Sequence, residues 1–224
     1  MNKKFFILFL SLFIFSNISF AETKITKEEY KESIIKLQTF GNYETAKNLA
    51  DNYIKEYPED GEAYLSKGIL ELSNPEKAIY YLTKSIKSGN LDTESSAVAK
   101  FARGKSYLTL DKYESSYEDF ESITQEEFNL LSLDEQYHYY VCRCELELFY
   151  NQNYYKLIYY ANKALDMNKS PELYFLRGIA FLRTGQEIKA KEDFAIQKYM
   201  CARNNNYTDI GCAFIPILNW RGDI

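Results

Sequence analysis

The chain of 224 residues carries 32 acidic and 27 basic side chains, which gives a formal net charge of −5. An acidic surface repels phosphate backbones, so the composition argues against nucleic acid as a partner. The length is sufficient for one or two domains with a sizeable core.

The N-terminal segment has the features of a secretory signal peptide. Lys3 and Lys4 precede an apolar run over residues 5–15, and Ser19 and Ala21 fit the small positions before a cleavage site. We expect cleavage after Ala21, so that residues 1–21 are removed and the protein is exported, either to the periplasm or out of the cell. The leader contains two lysines and no acid, so its removal changes the charge to −7.

An uncleaved membrane anchor is the alternative interpretation of the same segment. A bilayer core requires about 20 apolar residues, and this run becomes polar at Ser16 and Asn17. If the leader is retained, it is the only part of the chain predicted to contact a membrane.

Helical periodicity dominates the rest of the chain. Apolar and small residues recur at three- and four-residue spacing, as in Tyr174, Gly178 and Phe181. Strict alternation of apolar and polar residues is missing, so an all-α fold is predicted.

A turn motif recurs between paired helices. A small or polar residue is followed by an aromatic residue and then by alanine or serine, as at residues 41–46 and 111–116. With the pattern around Gly178, this motif resembles the tetratricopeptide repeat (TPR) family, whose unit is a 34-residue helix-turn-helix. The resemblance implies a right-handed superhelical stack, an α-solenoid, of about five hairpins over residues 22–203. The repeats start near Lys27, Gly61, Ala97, His138 and Pro171.

In this family, small residues at the repeat signature positions let paired helices approach closely. The corresponding residues here are Ala46, Gly68, Gly104, Gly178 and Ala190. The second repeat is two residues short at its turn, which predicts a tighter hairpin. In the fourth repeat either Glu145 or, after a shift by one helical turn, Val141 occupies the small position.

The chain offers little chemistry for catalysis. Residues 99–106 match a relaxed phosphate-loop pattern, but they lie within a predicted helix whose N–H groups are already bonded. His138 is the only histidine, and it has no apparent nucleophile as a partner. Cys142 and Cys144 point to nearly opposite sides of a helix. We therefore predict no enzyme, metal site, cofactor or small-molecule substrate.

Cys201 and Cys212 flank a turn that contains three asparagines. In an oxidising compartment they could form a disulfide bridge. A pair of buried thiols is the alternative, because spacing alone does not establish connectivity.

By resemblance to the family, the first helix of each hairpin lines a concave groove. The implied groove positions are Leu65, Ile69, Leu72, Phe101, Lys105, Leu108, Phe175, Ile179 and Leu182. An apolar surface of this kind predicts a protein or peptide partner, either an amphipathic helix or an extended segment.

The C-terminal tail, residues 204–224, is a second candidate to cover apolar surface. Its apolar residues 214–220 could occupy part of the groove or cap the last repeat. The sequence thus predicts an exported, non-catalytic scaffold. A structural or assembly subunit of a cell-envelope complex is the first alternative, and an enzyme is the second.

Overall fold

The computed structural model describes residues 24–204, and their regular structure consists of α-helices. The helices are α1 Lys27–Thr39, α2 Tyr43–Glu56, α3 Gly61–Leu70, α4 Pro75–Lys87, α5 Thr93–Thr109, α6 Tyr113–Ser122, α7 Gln125–Leu130, α8 Leu133–Phe149, α9 Tyr154–Met167, α10 Pro171–Arg183 and α11 Glu187–Asn204. The predicted leader, Cys212 and almost all of the C-terminal tail lie outside the described residues.

Ten of these helices form five hairpins, α1/α2, α3/α4, α5/α6, α8/α9 and α10/α11, which stack in chain order. The prediction of an all-α solenoid is confirmed. Helix α7, which the sequence analysis did not predict, lies between the third and fourth hairpins and packs on α5. Among residues 24–204, no helix is both long enough and apolar enough to cross a bilayer.

Hairpins three and four begin earlier than the repeat spacing suggested. Their first helices start at Thr93 and Leu133. Polar side chains account for these starts, because Asp92 accepts a hydrogen bond from Ser95 N at 2.7 Å and Ser132 forms a capping box at the start of α8. Each cap satisfies N–H groups that the first helical turn leaves unbonded.

The turns inside the hairpins share one backbone feature. A single residue adopts positive φ in four of them, Gly41 (72°), Asp111 (55°), Gln152 (52°) and Gly185 (74°). Hairpin two instead connects α3 to α4 through residues 71–74 without such a residue. Asn74 caps α4 there by accepting a hydrogen bond from Lys77 N at 3.1 Å. The tighter turn expected from the sequence is not observed, because this connection is one residue longer than those of hairpins one, three and five. The missing residues shorten α3, which ends two residues after Gly68, whereas α10 ends five residues after Gly178.

Glycine in the first helix of a hairpin allows the second helix to pack closely. A Cβ atom on Gly68 would lie 2.7 Å from Leu82, and one on Gly178 would lie 2.6 Å from Phe194. At Gly104 the nearest atom would be 3.1 Å away, on Phe120. Such distances leave no room for a side chain at the first two positions.

Hairpin four has a different register from both alternatives considered above. Cys144, and not Glu145 or Val141, takes the small position. It is fully buried, and its Sγ lies 3.9 Å from the backbone carbonyl oxygen of Leu157 in the facing helix. The turn over residues 150–153 is one residue longer than its counterparts in hairpins one, three and five. That insertion shifts the small position by one residue.

A column of basic residues links successive hairpins. The residue before each small position is basic in hairpins two to five: Lys67, Arg103, Arg143 and Arg177. Each contacts the preceding hairpin at an equivalent position, respectively Asp51, Thr83, Glu121 and Asn162. Arg103 and Arg177 also pair with an aspartate 16 residues later in their own hairpin, at 2.6 and 2.7 Å.

Arg143 is the most buried member of this basic column, at 1% exposure. Its guanidinium lies 4.9 Å from the ring of Tyr117 and 4.8 Å from that of Tyr160. It pairs with Glu147 at 3.2 Å and with Glu121. Because the ion pair and two aromatic rings meet here, this contact ties hairpin four to hairpin three where α7 interrupts the regular stack.

Candidate partner-binding surface

The groove positions implied by the TPR resemblance differ widely in exposure. Leu65 and Phe101 are buried, at 8% and 7%. Ile69, Leu108, Phe175 and Ile179 are half-buried. Lys105 is exposed, and so are Leu72 and Leu182, at 43% and 36%.

The expectation that Leu65 and Phe101 face a ligand is wrong for this structure. Leu65 packs in one core cluster with Ala99 and Ala102 of the following hairpin. Phe101 clusters with Cys142 of the next hairpin, and its ring lies 6.1 Å from that of Phe120. The next hairpin therefore covers these positions, and both residues stabilise the stack.

A pocket of about 380 Å³ opens between hairpins one and two. It is lined by Gln38, Tyr43, Lys47, Ile69, Leu70, Leu72 and Ser73. Two of these residues, Ile69 and Leu72, are predicted groove positions. The pocket borders the end of α3, and the chain from Gly68 to Ala78 is two residues shorter than the equivalent stretches of the third and fifth hairpins. We attribute the open space to this deletion.

One polar edge of the pocket is held in place by an ion pair. Lys47 Nζ lies 3.2 Å from a carboxylate oxygen of Glu71, which is itself buried. Lys67 of the basic column approaches the same carboxylate at 3.7 Å. The pocket thus combines apolar lining residues with a nearby ion pair, as binding sites for apolar side chains commonly do.

The corrected register of hairpin four adds Glu145 to the groove. It follows the small position, as Ile69, Lys105 and Ile179 do in their hairpins. Burial, and to a lesser degree the nearby carboxylate of Glu172, raises the pKa of Glu145 to about 7, while Lys105 opposes this shift. The middle of the groove is therefore charged and titratable, and its two ends are apolar.

No model of a known protein family matches the chain, and no curated protein sequence does. Solved structures do match. MamA is 21% identical with a TM-score of 0.56 over 77% of this chain and 96% of MamA. PilF of Pseudomonas aeruginosa is 16% identical with a TM-score of 0.57 over 76% of this chain and 75% of PilF. YrrB, described as a TPR protein with an unusual peptide-binding site, is 13% identical with a TM-score of 0.58 over 77% of this chain and 84% of YrrB.

The chain has a TPR-like fold. Identities of this size show the fold alone. The TPR-like architecture nevertheless agrees with the five hairpins and with the close packing at Gly68, Gly104 and Gly178.

The remaining candidate residues lie apart from the groove's apolar ends. Residues 99–106 lie inside α5, so their backbone N–H groups are committed to the helix. His138 is partly exposed, with Asp134 at 3.8 Å. Cys142 and Cys144 are buried free thiols whose pKa values are raised by desolvation. Within residues 24–204, no group of three or more potential ligands could hold a metal ion.

The disulfide prediction involves a residue that the structure does not describe. Cys201 is buried near the end of α11, at 1% exposure. Cys212 lies outside the described residues, and the bridge remains a prediction.

The basic column was missed by the sequence analysis, although it leaves a readable signal. A basic residue precedes glycine in three hairpins, at Lys67, Arg103 and Arg177. Asp119 and Asp193 follow the two arginines after 16 residues. The recurrence of both charges at a constant offset is sufficient to predict the pairing.

Proposed function

We propose that this protein is an exported, non-catalytic scaffold that binds a segment of another protein along its groove. The pocket between hairpins one and two carries this proposal, because it places Ile69 and Leu72 around an open space on a TPR-like fold. The favoured ligand is a helix or extended peptide with a bulky apolar side chain that enters this pocket.

Charge in the middle of the groove supports a partner segment that carries both apolar and charged side chains. Lys105 and Glu145 lie at equivalent positions of neighbouring hairpins, between apolar Ile69 and Ile179. An apolar anchor in the pocket would supply affinity, whereas polar contacts in the middle would select the partner.

Site-specific photocrosslinking in the native host tests this proposal. A crosslinker at Leu72 should give a defined adduct, whereas one at Tyr155, 72% exposed on the second helix of hairpin four, should give none. Equal labelling from both positions, or labelling from Tyr155 alone, would place the partner elsewhere.

Export is proposed from the leader and has its own test. Sequencing of the N-terminus of protein recovered from the native host should begin at Glu22. A chain that still begins at Met1 and stays in the cytoplasm would contradict both export and the argument for a bridge between Cys201 and Cys212.

An assembly subunit of a cell-envelope complex is the second candidate function. The same groove would then be occupied permanently, and the protein would migrate in a stoichiometric complex after native extraction. A scaffold that binds its partner transiently would migrate mainly as a free chain. An enzyme is the weakest candidate, because the described residues present no activated nucleophile beside His138.

A further inference from the structure

The second helices of the hairpins differ in the first turn. Their second residue is a glutamate in hairpins one to three: Glu44, Glu76 and Glu114. At the same position hairpins four and five carry Tyr155 and Ile188, which are 72% and 77% exposed and are followed by Lys156 and Lys189. A glutamate there stabilises the helix through its dipole, and an exposed apolar side chain does not. Folding alone therefore gives no reason for the change.

The ends of the first helices contribute to the same edge of hairpins four and five. Phe149 and Arg183 occupy equivalent positions, five residues after Cys144 and Gly178, and both are exposed. The guanidinium of Arg183 lies 6.0 Å from the ring of Tyr154 at the start of α9, so the turns of the two hairpins are neighbours. We call six residues of these turns the basic edge: Phe149, Tyr155, Lys156, Arg183, Ile188 and Lys189.

The net charge of the chain changes sign before the basic edge. Residues 24–150 carry 15 basic and 24 acidic side chains, whereas residues 151–204 carry nine basic and five acidic ones. The cations of the basic edge contact neutral groups. Lys189 Nζ donates a hydrogen bond to Gln186 Oε1 at 2.9 Å, and Arg183 lies over the ring of Tyr154. The basic edge thus presents net positive charge beside exposed apolar side chains.

We propose that the basic edge docks on the surface of an anionic lipid bilayer. Lysine and arginine attract acidic headgroups, and the aromatic and aliphatic side chains beside them enter the interfacial region. A flat surface is the occupant that fits, because Tyr155 and Ile188 stand out from the helix ends and the lysine stems can lie along it. The sequence analysis predicted membrane contact through the leader alone.

This contact goes beyond the proposed function and does not depend on it. The basic edge belongs to hairpins four and five, whereas the pocket lies between hairpins one and two and stays open to a partner. Contact of Tyr155 with lipid gives no protein adduct, so the crosslinking control at Tyr155 and the lipid test below have independent outcomes.

Vesicle binding by protein recovered from the native host tests the proposal. Co-sedimentation should show binding to mixed vesicles of phosphatidylcholine and phosphatidylglycerol, and several-fold weaker binding to vesicles of pure phosphatidylcholine. Binding to the mixed vesicles should weaken as salt is added, because ions screen the attraction between the charges. Failure to bind the mixed vesicles, or equal binding to both kinds, would overturn the proposal.

Tyr155→Glu combined with Ile188→Glu gives the basic edge the residue that hairpins one to three carry there. This variant should keep the circular dichroism and melting of the parent, and its affinity for the mixed vesicles should fall by about tenfold or more. The control combines Phe40→Glu with Tyr80→Glu, which make the same charge change at exposed aromatic residues of hairpins one and two and should retain binding. Equal losses in the two variants would show that net charge alone governs binding, and would overturn the proposal.

Lys156→Gln and Lys189→Gln test the role of the lipid charge. Each substitution should lower the affinity for the mixed vesicles about fivefold and leave binding to pure phosphatidylcholine unchanged. Unchanged affinity for the mixed vesicles would contradict the proposal.

Sedimentation velocity without lipid tests a second copy as the occupant. The parent should show a mass that does not depend on concentration through the basic edge. Self-association that Tyr155→Glu with Ile188→Glu abolishes, in a protein that binds no vesicles, would assign the basic edge to a second copy and overturn the proposal.

Discussion

Hairpins three and five present equivalent groove residues in different states. Phe101 of hairpin three is 7% exposed, because hairpin four covers it. Phe175, at the equivalent position of hairpin five, is half-buried, and no further hairpin follows α11 among residues 24–204. A repeat position therefore determines where a side chain points, whereas the neighbouring repeat determines whether that side chain is available to a partner.

The largest change in stability is expected when Phe101, the covered residue of this comparison, is substituted. Phe101→Ala should lower the free energy of unfolding by about 3–5 kcal/mol, because it removes a buried ring between two hairpins. Leu182→Ala, at a different groove position of hairpin five that is 36% exposed, should change it by less than about 0.5 kcal/mol, as surface substitutions usually do. Urea unfolding of both variants measures the difference. Similar losses in the two would contradict the inferred coverage by the next hairpin.

Substitutions of Gly178 and Gly104 by alanine should also differ in their effect on stability, by a smaller amount. Gly178→Ala should destabilise by about 1–3 kcal/mol, because the new Cβ would lie 2.6 Å from Phe194. Gly104→Ala meets its nearest atom at 3.1 Å, and the higher helix propensity of alanine, up to about 1 kcal/mol, offsets the strain. Thermal melts should thus show a loss for the first variant and little change for the second. The reverse order would mean that helix spacing differs from that described.

The sequence was sufficient to predict the hairpins, because helical period and turn chemistry are local. Gly41 and Gly185 mark turns by their positive φ, and Gly178 marks close packing. The register of hairpin four was not predictable in this way, since one inserted turn residue moves Cys144 into the small position without a local signal. The burial of Leu65 and Phe101 was also missed, because it depends on contacts between repeats.

Glu145 distinguishes the charged middle of the groove from its apolar ends. Its pKa is about 7 in the folded protein against 4.5 ordinarily, so the folded state holds the proton more tightly than the unfolded state. Its contribution to stability is therefore present at low pH and is lost as the pH rises from about 4.5 to 7. Glu145→Gln should be neutral near pH 4.5 and stabilise at pH 8 by about 1–3 kcal/mol.

Glu118→Gln is the matched control for Glu145→Gln, since Glu118 is exposed on α6 and the charge change is the same. Denaturant unfolding of both variants across this pH range separates local burial from net charge. A stabilisation by Glu145→Gln that does not vary with pH, or one equally large in Glu118→Gln, would contradict the proposed environment of Glu145.

The smallest expected effect on stability belongs to Leu72, which lines the pocket. Leu72→Asp should alter unfolding by less than about 0.5 kcal/mol, because the side chain is 43% exposed. A large loss of stability in this variant would show that Leu72 is a packing residue.

Partner recovery from the native host tests the central claim most directly. Protein carrying Leu72→Asp is purified beside the parent and beside Tyr155→Asp, and co-purifying proteins are quantified by mass spectrometry. The groove account predicts that Leu72→Asp loses the specific partner while its melting temperature is unchanged, and that Tyr155→Asp retains it. Retention of the partner by Leu72→Asp, with its loss from Tyr155→Asp, would contradict the account.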